Sequence, residues 1–345
     1  MKVLVTGGAG FIGSHTVVEL MNAGYDVVII DNFSNSDASV LGGIEQITGK
    51  APLFYNIDLC DKEDLNYCLE KENSESKIDA IIHFAALKAV GESQAIPMKY
   101  YNNNIVGMIN LMDCIYDNKL NNVVFSSSST IYGDADDLPV VEESQKKPAT
   151  SVYGYTKQFG ERMLEDLTSL TDLRAISLRY FNPIGAHETA LIGELPLGVP
   201  NNLIPYITQT AIGIREQLTI FGNDYDTPDG TNIRDYIHVV DLALAHVKAV
   251  ERLISKKGKE NLEAFNLGTG IGNSVLEIVK MFESTTGVKL NYKIGARRAG
   301  DVPSVYADVS KAADVLGWKT ERNLAVSLQS AWNWELALKE RRDNK

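Results

Sequence analysis

The stretch "KVLVTGGAGFIGSH" (residues 2–15) joins a short apolar run to a glycine-rich turn and the start of an amphipathic segment. Gly7, Gly10 and Gly13 have the spacing G-x-x-G-x-x-G. Glycine permits a tight turn, lets the backbone approach a pyrophosphate and allows a helix to pack closely on a strand. The following helix N-terminus presents free N–H groups to phosphate. The stretch therefore predicts a dinucleotide-binding, Rossmann-type start to the chain.

An acidic residue after the second apolar run supports this prediction. Asp31 ends the run 26–31, where a carboxylate can accept hydrogen bonds from a ribose hydroxyl. The same carboxylate would repel a 2′-phosphate, so we expect NAD rather than NADP. Asp58, at the close of "LFYNIDL" (53–59), is a candidate partner for the adenine amino group. For either aspartate alone, a solvated turn residue is the alternative.

Short apolar runs alternate with longer amphipathic segments along the chain. Strands are predicted at 2–6, 26–31, 79–85, 122–127, 173–180 and 263–268, and helices near 12–23, 62–73, 98–118 and 153–170. This alternation predicts an α/β fold, a doubly wound parallel sheet with helices on both faces. The Gly- and Pro-rich segment 182–202 suggests a boundary. We expect an NAD-binding domain at 1–182 and a smaller C-terminal α/β substrate-binding domain at 183–345, with 235–268 returning to the first sheet.

The composition narrows the class of protein. A formal net charge of -12 argues against nonspecific nucleic-acid binding, although a local arginine pair can still hold a phosphorylated ligand. No apolar stretch approaches the roughly 20 residues that span a bilayer, and no signal peptide is evident, so we expect a cytoplasmic protein without membrane partners. Cys60, Cys68 and Cys114 lack metal-like spacing. We expect buried, reduced thiols and no metal site.

The segment "VYGYTK" (152–157) contains a candidate reactive pair. On a helix, Tyr153 and Lys157 share a face, whereas Tyr155 points away and is expected to serve packing. A free tyrosine has a pKa of about 10, which a nearby ammonium group and a cationic nicotinamide would lower. Ser128, at the end of a predicted strand, could bond the same substrate oxygen and complete a proton relay. The alternative is a buried helix face with a snorkelling lysine, which the dinucleotide fingerprint disfavours.

The chain resembles the extended short-chain dehydrogenase/reductases and, among them, the UDP-glucose 4-epimerase family over nearly its whole length. The nucleotide side of the resemblance is carried by "TGGAGFIGSH" (6–15), "DNFSNS" (31–36), "HFAALKAVGES" (83–93), "YYNNNIVG" (100–107), "SSSSTIYG" (126–133) and "YGYTK" (153–157). The sugar side is carried by "RYFNPIGAH" (179–187), "VPNNLIPYI" (199–207), "IFGNDYDTPDGTNIRDYIHV" (220–239) and "RRAGDVPSVYAD" (297–308). These last four are the more diagnostic.

The resemblance implies an isomerase that interconverts UDP-glucose and UDP-galactose through a 4-keto sugar, with tightly held NAD. Tyr153, as phenolate, would take the proton of the sugar 4-hydroxyl, and Ser128 would bridge that transfer. Lys157 would bond the nicotinamide ribose and depress the tyrosine pKa. The keto sugar would then swing about its diphosphate and take hydride back on its other face. A homodimer paired through the helices near 98–118 and 153–170 is also implied.

Family roles transfer to positions that match the motifs. Cofactor contacts are implied for Gly7, Gly10, Phe11, Ile12, Gly13, Asp31, Asn32, Asn35, Ser36, Asp58, Leu59, Phe84, Ala85, Ala86, Lys88, Asn103, Ser126, Tyr153, Lys157 and Tyr180. Substrate contacts are implied for Lys88, Ser128, Tyr153, Asn182, Asn202, Leu203, Phe221, Arg234, Arg298, Asp301 and Val305. The two arginines suit a diphosphate, since guanidinium forks match phosphate oxygens. For either arginine singly, a surface charge is the alternative.

Some positions depart from the family pattern. Val152 and Tyr155 replace common residues off the reactive face, so we expect little effect, and Ser129 replaces a common alanine but leaves Ser128 in register. Val305 stands where some members have tyrosine beside the sugar 2-position, which implies room for UDP-N-acetylglucosamine and UDP-N-acetylgalactosamine.

Rival functions on the same fold would require other residues or another use of the cofactor. The family's 4,6-dehydratases place Asp-Glu after the threonine that follows the serine run, whereas Thr130 is followed here by Ile131 and Tyr132. Epimerases of UDP-glucuronate or UDP-pentoses stay open. A noncatalytic NAD-binding protein would not need Ser128, Tyr153 and Lys157 together. A simple alcohol dehydrogenase would release NADH at each turnover.

Overall fold

The computed structural model describes residues 1–298 and 301–344. The strands are β1 (Lys2–Thr6), β2 (Asp26–Asp31), β3 (Leu53–Asn56), β4 (Ile78–His83), β5 (Asn122–Ser128), β6 (Arg174–Tyr180), β7 (Asn182–Ile184), β8 (Leu218–Phe221), β9 (Ile233–His238), β10 (Leu262–Leu267), β11 (Gly272–Ser274), β12 (Tyr292–Gly295) and β13 (Ser304–Val305). The α-helices are α1 (Phe11–Asn22), α2 (Ser39–Thr48), α3 (Lys62–Glu75), α4 (Val90–Ala95), α5 (Pro97–Tyr101), α6 (Gly107–Asp117), α7 (Val152–Leu170), α8 (Leu203–Ala211), α9 (Val239–Ile254), α10 (Val275–Thr286) and α11 (Leu324–Asp343).

The largest sheet has seven strands in the order β3-β2-β1-β4-β5-β6-β10. Every neighbouring pair in it is parallel. The order reverses between β1 and β4, and in such sheets ligands bind outside the carboxyl ends of the strands at this reversal. The predicted α/β, doubly wound Rossmann-type fold is confirmed.

Alternating side chains place apolar groups on both faces of this sheet. Val3 and Val5 on β1 join a core cluster with α1, α2 and α9, whereas Leu4 joins a second cluster with α3, α6 and α7. Burying each such side chain stabilises the fold by roughly 1.5–3 kcal/mol. Because helices cover both faces of the sheet, side chains on both sides of each strand are buried. This explains why the strands are apolar throughout.

A second set of strands lies beyond Tyr180. Strands β7, β9, β11 and β13 form one small sheet, and β8 pairs with β12. A separate apolar cluster packs α8, α10 and α11 together through Ile207, Phe282 and Leu328. Of the segment 235–268, α9 and β10 lie against or within the large sheet, whereas residues 235–238 belong to β9 in the small sheet. The boundary after residue 182 stays a prediction.

The predicted helix near 98–118 is interrupted. Helix α5 begins at Pro97, a π-helical turn spans Asn102–Val106, and α6 follows. Turns of this kind are frequently found at functional sites. Here the turn buries Asn104, which donates to Leu87 O at 2.9 Å and to Thr156 Oγ1 at 3.1 Å.

Cys68 and Cys114 are buried as expected, but Cys60 is partly exposed. Within the described ranges, no helix has the length and apolarity to cross a bilayer.

Because the buried histidines resist protonation, the stability of the folded protein at acidic pH tests this packing. Burial lowers the pKa of His15, His83 and His238 to about 3 and that of His246 to about 4. The unfolded chain takes up protons below pH ~6.5, which the folded chain does not, so the free energy of unfolding falls as the pH falls. Each histidine contributes about 1.4 kcal/mol per pH unit between pH ~5.5 and ~4.

We expect His15→Gln, which keeps a side-chain donor near Phe11 O, to reduce that slope by about 1.4 kcal/mol per pH unit. Urea unfolding at several acidic pH values measures it. An unchanged slope would show that His15 is protonated in the folded protein.

Candidate active site

The glycine-rich turn after β1 has no room for side chains. Gly7 has a φ of 72°, and a Cβ there would lie 2.6 Å from Ala85 N. A Cβ on Gly13 would lie 2.2 Å from Gly7 O. Gly10 precedes α1 without a side-chain cap, and Phe11 and Ile12 form its first residues. The loop is thus a backbone cradle at a helix N-terminus, the arrangement that suits a pyrophosphate.

Asp31 is held against this loop. Its carboxylate accepts hydrogen bonds from Ala9 N at 3.1 Å, Phe33 N at 2.9 Å and Ser36 Oγ at 2.9 Å. In the neighbouring turn, Asn32 Nδ2 donates to Asp58 Oδ2 at 3.0 Å. Asn35 lies between Asn32 and Ser36, and Leu59 follows Asp58. The predicted nucleoside contacts therefore gather at the carboxyl ends of β2 and β3.

The residues after β4 border the same loop. The backbone N–H groups of Phe84 and Ala85 both donate to Thr6 O, at 3.0 and 3.2 Å, and Ala86 follows them. Asn103, in the π-helical turn, donates to Asn104 Oδ1 at 2.9 Å. On β6, the hydroxyl of Tyr180 lies 3.0 Å from His246 Nε2. These contacts extend the cradle across the centre of the sheet.

Strand β5 and helix α7 bring the predicted reactive groups together. Ser151 caps α7 by accepting from Gly154 N at 3.1 Å, which fixes the turn that carries Tyr153. The Tyr153 phenol lies near Ser128, close enough for the serine hydroxyl to lower the pKa of the phenol. Lys157 Nζ donates to Ser126 O at 2.5 Å and lies 5.9 Å from the centroid of the Tyr153 ring. Tyr155, expected to pack, is instead 43% exposed.

Burial is the largest influence on both ionisable groups of this constellation. It raises the pKa of Tyr153 to about 12, opposed by the nearby Ser128 hydroxyl. It lowers the pKa of Lys157 to about 7, opposed by the negative charge of Glu161. The lowered tyrosine pKa expected from Lys157 does not follow from the protein's own groups. A phenolate here needs further positive charge, such as a nicotinamide cation supplies.

The predicted sugar-nucleotide residues form a second cluster. Arg298 makes a two-point ion pair with Asp301 (3.1 and 2.8 Å), and its guanidinium lies 5.8 Å from the Phe221 ring centroid. Arg234 Nη2 lies 4.0 Å from the same aspartate. Val305 on β13 pairs in register with Arg234 on β9. Burial lowers the pKa of Arg234. The two guanidinium groups suit the oxygens of a diphosphate, and a carboxylate and an aromatic ring lie beside them.

Glu194 joins a predicted cofactor contact to a predicted substrate contact, and sequence reasoning missed it. Its Oε1 accepts from Lys88 Nζ at 3.1 Å and from Asn202 Nδ2 at 2.6 Å. Trp334 Nε1 donates a hydrogen bond to the backbone carbonyl of Glu194 at 2.9 Å. Glu194 lies in an irregular segment far along the chain from Lys88, so no local pattern could have revealed it. Two further predicted substrate contacts lie at the starts of secondary-structure elements. Asn182 begins β7, and Leu203 begins α8 directly after Asn202.

A Rossmann sheet with a dinucleotide cradle and an assembled Ser-Tyr-Lys constellation defines an extended short-chain dehydrogenase/reductase. The family model described as GDP-mannose 4,6 dehydratase matches residues 4–330. The UDP-glucose 4-epimerase of Bacillus subtilis is 49% identical over 336 residues, 97% of each chain. That of Drosophila melanogaster is 49% identical over 343 residues, 96% of each chain. The chain belongs to the UDP-glucose 4-epimerase family.

Solved structures agree with this assignment. A UDP-glucose 4-epimerase from Stenotrophomonas maltophila, with bound NAD and formylated UDP-arabinopyranose, is 47% identical, with a TM-score of 0.94 over 99% of each chain. One from Bifidobacterium longum, in complex with NAD+ and UDP, is 45% identical, with a TM-score of 0.92 over 98% of each chain.

Proposed function

We propose that this protein is an NAD-dependent UDP-glucose 4-epimerase, an isomerase of UDP-glucose and UDP-galactose. The observation that carries the proposal is the meeting of Ser128, Tyr153 and Lys157 beside the dinucleotide cradle, in a chain that also brings Arg234 and Arg298 together at Asp301. Full-length similarity to enzymes of that name supports it. The solved relatives bound to NAD and to UDP or a UDP-sugar support the choice of ligands.

The residues around the cradle fit NAD. The glycine backbone would take the pyrophosphate, Asp31 a ribose hydroxyl, and Asn32 with Asp58 the adenine edge. Lys157 would hold the nicotinamide ribose. Bound NAD would supply the acceptor for hydride from carbon 4 and return that hydride later.

Tyr153 Oη would remove the proton of the sugar 4-hydroxyl while carbon 4 is oxidised to the ketone. Ser128, which lies near Tyr153, would bridge this transfer. Lys157 would favour the phenolate through its positive charge. Arg234 and Arg298 would hold the diphosphate while the sugar ring rotates, so that its other face meets the cofactor. Tyr153 would then return the proton to the inverted alkoxide.

Dehydration, which the description of the matching family model names, is a poorer fit. Ile131 and Tyr132, which follow Thr130, are both fully buried. Tyr132 is occupied in hydrogen bonds with Asn266 and Arg179. These two positions therefore offer no acid–base pair for elimination of water from carbons 5 and 6.

We expect Tyr153→Phe to lower kcat by about 10²- to 10⁴-fold, because it removes the acid–base group and leaves the ring packing intact. Proton NMR of UDP-glucose turnover, with no NAD added, would follow the UDP-galactose anomeric signal. Growth of that signal in the wild type supports both the reaction and a copurifying cofactor.

Tyr155→Phe is the matched control, since Tyr155 is exposed on the same helix, and it should retain wild-type turnover. Equal turnover by Tyr153→Phe and the wild type would remove Tyr153 from the mechanism. No signal from the wild type, even with NAD supplied, would sink the UDP-glucose assignment and favour another nucleotide sugar.

N-acetylated UDP-sugars are the finer part of the proposed substrate range. Val305 is partly buried, pairs in register with Arg234 in the small sheet, and packs against the apolar cluster that includes Ile131, Tyr132 and Phe181. Valine is far smaller than the tyrosine that fills this position in some relatives, which leaves space for an acetamido group.

We expect Val305→Tyr to lower kcat/KM for UDP-N-acetylglucosamine by roughly 10- to 100-fold with little change for UDP-glucose. Val305→Ala, the control, should process both sugars. A wild type that leaves UDP-N-acetylglucosamine unchanged would refute the extended range.

We also propose a cytoplasmic homodimer. Helices α5, α6 and α7 expose apolar side chains that include Met98, Ile109, Tyr155 and Phe159. Tyr155 and Phe159 are four residues apart and share one face of α7. A second copy of the chain would bury this face, as the family resemblance implies.

We expect Tyr155→Glu/Phe159→Glu to be monomeric in light scattering coupled to size-exclusion chromatography, because charges at a self-paired apolar face repel their symmetry mates. Tyr155→Phe should leave the dimer intact. A wild type that elutes as a monomer at micromolar concentration would contradict the proposal.

A further inference from the structure

We propose that Glu161 is a positioning residue for Tyr153 and Lys157, which acts through its buried negative charge and its contacts with strand β5. The inference rests on the proposed function, because it assigns Glu161 a task in the proton transfer attributed to that pair.

Three successive turns of α7 are tied to three successive residues of β5. Tyr153, Lys157 and Glu161 recur every four residues and so share one helix face. Lys157 Nζ donates to Ser126 O at 2.5 Å, and Ser127 Oγ donates to Glu161 Oε1 at 2.6 Å, while Tyr153 lies near Ser128. A shift of the helix along the strand would break both hydrogen bonds and move Tyr153 away from Ser128. The Glu161 contact thereby helps to fix the distance between Tyr153 and Ser128.

Glu161 is only 2% exposed and is fully partnered. Arg179 Nε and Nη2 donate to its two oxygens at 2.9 and 2.8 Å, and Lys146 Nζ lies 2.8 Å from Oε2. The remaining guanidinium nitrogen of Arg179 donates to Tyr132 OH at 2.9 Å and to Glu142 O at 2.8 Å. A buried ion pair adds little stability over a well-packed apolar pair, because both charges lose hydration. A gain in stability alone therefore does not explain why Glu161 and Arg179 form a buried ion pair.

The position of the carboxylate supplies a functional reason. The titratable groups near the reactive pair are His83 on β4, Tyr180 on β6 and Tyr100 on α5, and all three are buried. Burial keeps His83 neutral and favours the neutral phenol in both tyrosines. Glu161, one turn from Lys157, is the anion that opposes the effect of burial on the lysine. Arg179 and Lys146 keep Glu161 ionised, since both hold the pKa of its carboxyl below the usual range.

Glu161→Gln tests this role because the amide keeps the shape and loses the charge. The Lys157 ammonium should then lose its proton at a pH about one unit lower. In the holoenzyme, the fall of kcat at rising pH should move by the same amount, so that kcat drops about tenfold above both midpoints while KM changes little. Glu161→Asp, which restores the charge, should recover most of the shift.

Ser127→Ala is the matched control, since it removes one contact and keeps the carboxylate. It should lower kcat without moving the pH midpoint. If Glu161→Gln fails to fold because Arg179 is left unpaired, Glu161→Gln/Arg179→Gln removes both charges and should still shift the midpoint to lower pH. An unchanged midpoint in the folded variants would overturn the inference.

A second readout separates this inference from the proposed function. The 13Cε resonance of Lys157, assigned by its loss in Lys157→Met, reports the titration of that amine without any turnover. A midpoint lowered by Glu161→Gln supports the role of Glu161 even if the wild type does not epimerise UDP-glucose. Equal midpoints in the wild type and Glu161→Gln would refute it even if epimerisation is observed.

Discussion

Burial of helix α7 on the parallel sheet is the constraint on which the rest of the site depends. The same packing that stabilises the sheet buries Lys157 and leaves Tyr153 only partly exposed, and it favours the neutral form of each. Acid–base work requires the opposite, a phenolate beside an ammonium group. The protein counters burial with fixed groups, which are the Ser128 hydroxyl near the tyrosine and the Glu161 carboxylate near the lysine. The positive charge of a nicotinamide bound in the adjoining cradle would further favour the Tyr153 phenolate.

The architecture separates the two tasks of the proposed reaction. Backbone at the carboxyl ends of β1 and β4 forms a rigid dinucleotide cradle, where even a single Cβ would collide with neighbouring backbone. The sugar-nucleotide side is built from Arg234 on the small sheet and Arg298, which follows β12, and both guanidinium groups lie near Asp301. A sugar tethered through its diphosphate can then turn while the cofactor stays fixed. Glu194 joins the two sides through Lys88 and Asn202.

Much of this could be predicted from the sequence because the deciding patterns are local. The apolar runs 2–6 and 26–31 match β1 and β2 residue for residue, and the four-residue spacing of Tyr153 and Lys157 correctly indicated a shared helix face. The π-helical turn at 102–106 escaped prediction because its apolar spacing resembles that of a continuous helix. Glu194 and the Glu161–Arg179 pair escaped because their partners come from distant segments. Tyr155 was expected to pack, yet its face lies in solvent within one chain.

The fate of deuterium placed on carbon 4 of UDP-glucose tests the central claim most directly. If Tyr153 moves only the hydroxyl proton and the carbon-bound hydrogen is held by the cofactor and returned, UDP-galactose formed in ordinary water keeps the deuterium at carbon 4. Mass spectrometry and NMR of the product would read this retention. Replacement of that deuterium by solvent hydrogen would contradict the account, because it would require removal of the carbon-bound hydrogen as a proton.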